Sequence, residues 1–342
     1  MSQPIEVQQA IAKVVDGDAL TAEEMIHTMR KIMSGECTDA QIGGLLVALR
    51  VKGETVEEVA AAAQVMRELA SGVNCQSDDL MDIVGTGGDG SSTFNISTCS
   101  ALVAAAAGIK IAKHGNRAVS SSSGAADVLE AAGVNIDLDS EQVAQCVDSV
   151  GLGFMFAPKH HGAMRHAIGP RKDLGMRTIF NVLGPLTNPA SAPRQLMGVY
   201  SEALVVPMAQ VLAKLGSERA MVVHADDGMD EISIGSTTHV AELKDGQVES
   251  YKIDPSGFSM QQADTEQLRV SSAAESLTMV KQVLSNKAGP ARDIVALNSG
   301  AAIYIAGQAE THQAGVARAL EIIADGSAAR KLDELIACSN SQ

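Results

Sequence analysis

The densest chemistry in the sequence lies in residues 82–98, DIVGTGGDGSSTFNIST. Gly85, Gly87, Gly88 and Gly90 follow a short apolar strand containing Met81, Ile83 and Val84. Glycines remove Cβ atoms where a backbone must turn sharply or approach a ligand closely. The apolar run of a helix then extends from Ile96 through Ala107. Backbone N–H groups at such a turn, with the positive end of the helix dipole behind them, form an anion site. Ser91, Ser92, Thr93, Asn95, Ser97 and Thr98 add neutral donors. Asp89 is the odd member, since a carboxylate repels phosphate and fits sugar hydroxyls or a metal-bound water better.

A second polar loop follows the next strand, KHGNRAVSSSSG at residues 113–124. Lys113 and Arg117 supply charge, Asn116 a donor and an acceptor, and four serines lead into a helix near Ala125. Two such loops on neighbouring strands would hold two phosphate groups of one ligand. Asp226, Asp227, Asp230 and Glu231 crowd a loop after the strand at residues 220–224. Such a cluster suits Mg²⁺, a hard ion that prefers oxygen ligands and bridges to phosphates, and equally suits a solvated acidic loop. Residues 155–172 form a basic cluster with Lys159, His160, His161, Arg165, Arg171 and Lys172, in which one arginine could clamp a carboxylate. The paired histidines have no third ligand at zinc spacing.

GTGGDG also satisfies the dinucleotide fingerprint, which is weak alone. A nicotinamide site wants an acid about 20 residues on, at the end of the next strand. Here that strand ends in Lys113, and no Asp or Glu falls between Asp89 and Asp127. This demotes NAD and leaves NADP only faintly open. No Gly-Lys-Ser/Thr follows the glycines, and no nucleophile elbow is present.

The elements that must position these loops come from pattern and composition. Hydrophobic residues make up 46% of the 342, but aromatics only 2%, so the core must be aliphatic. A net charge of −15 argues against nucleic acid or an anionic membrane as partner. Five scattered cysteines without a CxxC pair, no long apolar span and no basic-then-apolar leader predict a cytoplasmic protein with reduced thiols. Residues 1–75 read as a helical domain, with capping boxes at Thr21/Glu24, Thr38/Gln41 and Thr55/Glu58 and stop signals at Gly35 and Gly53. An exposed apolar face there would suit a dimer. Residues 76–342 read as an α/β domain with a central, largely parallel sheet flanked by helices. Its expected strands are 82–84, 110–113, 154–156, 195–199, 220–224 and 294–297, with helices over 101–107, 125–132 and 141–150. Residues 237–253 read as a hairpin through Lys244-Asp245-Gly246. The Gly- and Pro-rich segment 171–190 is expected to pass back to the helical domain.

GTGGDGSSTFNIST, KHGNRAVSSSSG, MFAPKHH, RKDLGMRTIFNVLGPLTNP and the pair Asp230-Glu231 together resemble the anthranilate phosphoribosyltransferase family, in order and over nearly the whole chain. The resemblance implies a small helical domain plus an α/β domain shared with pyrimidine nucleoside phosphorylases, and a homodimer formed through the helical domains. It implies that phosphoribosyl pyrophosphate (PRPP) contacts Gly85, Gly88, Asp89, Thr93, Asn95, Ile96, Ser97 and Thr98. A second group would be Lys113, His114, Gly115, Asn116, Arg117, Ala118, Val119, Ser120 and Ser121, with Ala125 beyond them. Anthranilate would meet Gly85, Asn116 and Arg171, the last facing its carboxylate. Mg²⁺, as two ions, would fall to Ser97, Asp230 and Glu231. Lys113, Asp230 and Glu231 would carry catalysis, and His114 and Pro185 would line the entry channel. The family often has Ser where this chain has Ala125, and Pro where it has Gly162. A nucleoside phosphorylase and a nucleic-acid-binding relative share the fold. The first would leave Arg171 and Asn116 without a carboxylate to bind, and the charge opposes the second.

Overall fold

The structure, a computed structural model, describes residues 5–118 and 123–341. Four helices open the chain: α1 Val7–Val15, α2 Ala22–Ser34, α3 Asp39–Lys52 and α4 Val56–Leu69. Their starts follow from local chemistry. The hydroxyls of Thr21, Thr38 and Thr55 accept from the N–H groups of Glu24, Gln41 and Glu58, whose side chains accept from the threonine N–H groups in return. Each cap contributes about 1 kcal/mol. Gly35 ends α2 in the left-handed region, while Gly53 ends α3 at φ 88° with an extended ψ of 125°. Glu58 is fully buried yet satisfied by Leu20 N–H, Thr55 N–H and Lys52 Nζ at 2.8–3.0 Å.

Strand and helix then alternate: β1 Leu80–Gly85, α5 Ile96–Ala106, β2 Lys110–Gly115, α6 Ala125–Ala132, α7 Ser140–Val150 and β3 Leu152–Phe156. The helices α8 Ala157–His160, α9 Arg165–Leu174 and α10 Phe180–Leu183 precede β4 Arg194–Gly198, α11 Val205–Lys214 and β5 Arg219–Ala225. The hairpin β6 Thr238–Lys244 and β7 Gln247–Ile253 follows, and α12 Ala273–Leu284, α13 Pro290–Ile305, α14 His312–Ala324 and α15 Ser327–Asn340 close the chain. The sheet runs β3-β2-β1-β4-β5-β6-β7, parallel through β5 and antiparallel after it. The chain leaves β1 toward β2 and β3, then returns to the other side of β1 with β4. This reversal opens a crevice at the carboxyl ends of β1 and β4, where open α/β sheets bind ligands. The β6–β7 turn forms as its sequence predicts, with Asp245 and Gly246 at φ 52° and 75°.

The two sheet faces feed different cores. Met81, Ile83, Ile111, Leu196, Met221 and Val223 pack with α5 and α13–α15. Met197, Val199, Val222, Ala241 and Leu243 pack with α11 and with the apolar faces of α2–α4 in one continuous cluster. The segment after α8 joins that cluster: α9 packs on α2 and α3, α10 on α4, and Ile179, Phe180, Leu183 and Leu186 are buried within it. The Arg67 guanidinium donates to the carbonyls of Leu186 and Leu215, tying α4 to both neighbours.

One expected strand is a helix. Residues 294–297 lie inside α13, whose residues from Ile294 to Ala302 are all buried. A helix buried on every side has no polar face, so its apolar run reads like a central strand. Gly300 on α13 and Gly315 on α14 allow these helices to touch backbone to backbone. A Cβ on Gly315 would lie 2.2 Å from the Gly300 carbonyl oxygen. Gly315→Ala is therefore expected to destabilise the protein by at least about 1–3 kcal/mol, read as a lower urea midpoint. An unchanged midpoint would show that α14 shifts freely.

Candidate active site

The crevice is built around Asp230. Its Oδ2 accepts the Gly87 N–H at 2.7 Å, which ties the loop after β5 to the glycine turn after β1. Two glycines make room for it. A Cβ on Gly85 would lie 2.3 Å from Asp230 Oδ2, and one on Gly198 would lie 1.5 Å from the Asp230 carbonyl oxygen. Gly85 is thus required first by a neighbouring carboxylate. Gly198 was missed in the sequence because it stands alone at a strand end, outside any motif. Thr86 reinforces the junction: its N–H donates to the Gly198 carbonyl, and its hydroxyl accepts from Tyr200 N–H at 3.0 Å. Gly87, Gly88 and Gly90 all adopt positive φ, as the turn demands.

Asp89, Asp230 and Glu231 converge, with carboxylate oxygens within 4.8 Å of one another. Asp89 therefore belongs with the acidic pair, which the sequence did not reveal. Asp89 Oδ2 and Glu231 Oε2 are buried without a hydrogen-bond partner among the described residues. Burial pushes the Asp230 carboxyl up to about 6, helped by repulsion from Asp89. Burial and repulsion from Asp230 and Asp89 push Glu231 well above the usual carboxylate range. Three hard oxygen donors, two of them with orphaned atoms, fit a divalent cation such as Mg²⁺. Asn298 on α13 holds this stretch in place, accepting from Ile232 N–H at 3.0 Å and donating to the Ile232 carbonyl at 2.8 Å. The other two acids of the loop do not join. Asp226 pairs with His239 at 2.7 Å, and Asp227 accepts from the Ser233 hydroxyl at 2.6 Å.

Lys113 lies on the neighbouring strand, almost fully buried. Its Nζ donates to the Ile83 carbonyl at 2.6 Å and to Ser97 Oγ at 3.2 Å. Burial pulls its ammonium down to about 8, against the attraction of Asp82 and Glu231. Asp82 is pushed up to about 6 by its own burial. Its oxygens accept from His114 N–H at 3.2 Å and Asn188 Nδ2 at 2.7 Å. Asp82 and Asn188 were missed as supports, because their contact joins positions 106 residues apart and leaves no local mark. Helix α5 starts beside Lys113, capped by Asn95, whose Oδ1 accepts from Thr98 N–H at 2.9 Å and from the Ser97 hydroxyl at 3.2 Å. Ile96 is buried and donates its N–H to Phe94, so its side chain belongs to the core. Thr98 Oγ1 is buried without a partner among the described residues. Thr93 bridges to Arg269, which closes the turn from outside.

The second loop is only partly ligand-ready. His114 is buried against His161, ring centroids 5.1 Å apart, and burial holds it well below its usual range. Gly115 admits Phe154 and Ala125, which a Cβ would meet at 3.0–3.1 Å. Asn116 is exposed and accepts from Arg117 N–H at 2.8 Å. The Arg117 guanidinium pairs with Glu130 at 2.7 and 2.9 Å and with Asp127 at 3.1 Å. Ala118 N–H and Gly124 N–H both donate to Asp127 Oδ2 at 2.9 Å. Val119, Ser120 and Ser121 lie outside the described residues. Pro185 is buried, its carbonyl accepting from Gln195 Nε2 at 2.7 Å.

Arg171 sits on α9 with its guanidinium 5.1 Å over the Phe180 ring and no ion-pair partner among the described residues. Arg177, unremarked in the sequence, stacks 4.1 Å over Tyr200 and donates to the Gly88 carbonyl. It joins the segment carrying Arg171 directly to the glycine turn.

The acidic cluster has a thermodynamic signature. An acid whose folded value lies above its unfolded one favours the native state when protonated. For Asp230 that contribution is complete below 3.8 and is lost as pH rises through about 6. Asp230→Asn keeps an acceptor for Gly87 and removes one repelling charge. In metal-free buffer the variant is expected to gain about 1–3 kcal/mol on the wild type between about pH 4 and pH 7. A difference in melting temperature that stays flat over that range would show that the cluster is not strained.

Two family models cover the chain: "Glycosyl transferase family, helical bundle domain" at residues 8–70 and "Glycosyl transferase family, a/b domain" at residues 77–329. The chain is 58% identical over 337 residues to anthranilate phosphoribosyltransferase of Thioalkalivibrio sulfidiphilus, covering 98% of this chain and all of that one. The crystal structure of the Thermus thermophilus enzyme superposes with a TM-score of 0.92 at 42% identity, covering 97% of this chain and 99% of that chain. The Saccharomyces cerevisiae enzyme in complex with PRPP and Mg superposes at 0.90 and 29% identity, covering 98% of each. With both models matched in order and such identity along its full length, the chain belongs to the anthranilate phosphoribosyltransferase family.

Proposed function

We propose that this site transfers the 5-phosphoribosyl group of PRPP to the amine of anthranilate. The products are pyrophosphate and N-(5-phosphoribosyl)anthranilate, an intermediate of tryptophan biosynthesis. The observation that carries the reading is the convergence of Asp230 and Glu231 on Asp89 of the glycine turn, with buried Lys113 alongside. The yeast relative holds PRPP and Mg on the same fold.

An aromatic amine is neutral near pH 7 and already nucleophilic, so no strong base is needed. The difficulty is charge: ribose C1 becomes cationic while the leaving diphosphate gains negative charge. Lys113 and the N–H groups of the glycine turn face that problem with preorganised positive charge. Ser97, Asp230 and Glu231, with Asp89 beside them, would hold Mg²⁺, as two ions, and the metal would neutralise charge on the leaving group. Arg171 faces the anthranilate carboxylate, and Asn116 and Gly85 border it. His114, kept neutral by burial, lines the channel without adding charge. The chain works as a homodimer in the cytoplasm. In support, Val15 and Val51 are 68% and 81% exposed on an apolar groove of α1 and α3 with Val14, Val47, Ala48 and Leu174. No helix among the described residues is long and apolar enough to cross a membrane.

Mixing PRPP, Mg²⁺ and anthranilate should give a protein-dependent loss of anthranilate fluorescence, and none without PRPP. Asp230→Asn with Glu231→Gln should cost roughly two to three decades in turnover, about 3–4 kcal/mol of barrier, with an altered Mg²⁺ dependence. Near-normal rates across a Mg²⁺ titration would remove both from the metal role. Arg171→Ala should raise KM for anthranilate far more than KM for PRPP. Equal losses for both substrates would make Arg171 a structural residue.

A further inference from the structure

Beside β3, Cys146 on α7 and Cys338 on α15 bring their sulfurs to 2.9 Å. A disulfide places two sulfurs about 2.05 Å apart, so under about 1 Å of closure separates this pair from a bond. The two helices pack on each other, and both side chains sit on the apolar cluster of Val73, Leu138, Val143 and Val147. That packing holds the sulfurs together, where two mobile surface thiols would drift apart. The pair plays no part in the proposed transfer reaction. Of the other three cysteines, Cys75 touches the same cluster, Cys99 is buried on α5, and Cys37 lies in the helical part.

We propose that Cys146 and Cys338 are a redox modification site that closes to a disulfide when the protein meets hydrogen peroxide. Cys338 is half-buried and Cys146 fully buried, so Cys338 is the more accessible of the two and the first to meet peroxide in the proposed sequence. Its thiolate attacks one peroxide oxygen, the O–O bond breaks, and hydroxide leaves to take up a proton as water. The resulting sulfenic sulfur is then attacked by the Cys146 thiolate. The S–O bond breaks, the disulfide forms and a second water departs. Two thiols lose two electrons and two protons, and the peroxide is reduced to two waters. Burial pushes the Cys146 thiol up to about 12, aided by Cys338, so thiolate is scarce and closure is slow. The bond would join positions 192 residues apart and fix the C-terminal helix to the helix that precedes β3. A link closing so long a loop restricts the unfolded chain and raises the melting temperature.

The test treats the full-length protein with hydrogen peroxide, quenches with catalase, alkylates remaining thiols and maps the peptides by mass. The expected result is loss of two of the five alkylatable cysteines and a Cys146–Cys338 linked peptide. Dithiothreitol should reverse both, together with a rise of a few degrees in melting temperature. Cys146→Ser and Cys338→Ser should each abolish the linked peptide and the rise. Mapping the untreated and treated wild type decides the matter even if a variant folds poorly. Five alkylatable thiols after treatment, a Cys75–Cys338 link instead, or Cys338 sulfinic acid with Cys146 still alkylatable would each overturn the proposal.

Discussion

The site depends on three like charges held where they repel. Asp89, Asp230 and Glu231 lie within 4.8 Å in a buried crevice, an arrangement that opposes folding unless something compensates. The chain meets this with fixed geometry. Gly87 N–H bonds one carboxylate, Asn298 anchors the strand of chain carrying the pair, and Gly85 and Gly198 clear the volume that Asp230 fills. The result is a pocket of negative potential suited to a cation, in a chain whose net charge already disfavours an anionic ligand. A bound divalent ion would reverse the local sign and turn a region hostile to phosphate into one that holds it.

Lys113 and Asp82 show the same economy at lower charge. Both are buried, and burial drives each toward its neutral form while their mutual attraction opposes the drift. Asp82 is saturated by backbone and amide donors, and Lys113 by the Ile83 carbonyl and Ser97. The lysine is thereby locked in rotamer and location, at the start of α5 and level with the glycine turn. A surface lysine would lose conformational freedom on meeting a ligand, and this one has already lost it on folding.

Much of this was legible in the sequence, for reasons tied to particular residues. The three threonine caps, the Asp245-Gly246 turn and the glycine run express local rules that tertiary structure left untouched. The stretch 294–297 was misread because a helix enclosed on every side carries no periodic signal. Asp89 could be placed near sugar or metal-bound water but not beside Asp230, since their partnership spans the crevice between β1 and β5. Gly198, Asn188, Asn298 and Arg177 act through contacts across long sequence separations and carry no local mark. The ion pairs of Arg117 with Asp127 and Glu130, one and two turns along α6, could not be read from its own loop.

The outer strand of the hairpin has a consequence of its own. β7 ends the sheet, and all but two of its residues are exposed, with Glu249 and Lys252 among them. An open strand edge invites a foreign chain to add itself, which begins amyloid-like association. The charges of Glu249 and Lys252, a tight turn at one end and the antiparallel reversal that formed it make β7 a poor template for such growth. A mostly parallel sheet, slow to assemble, is thereby guarded at its β7 edge while it folds.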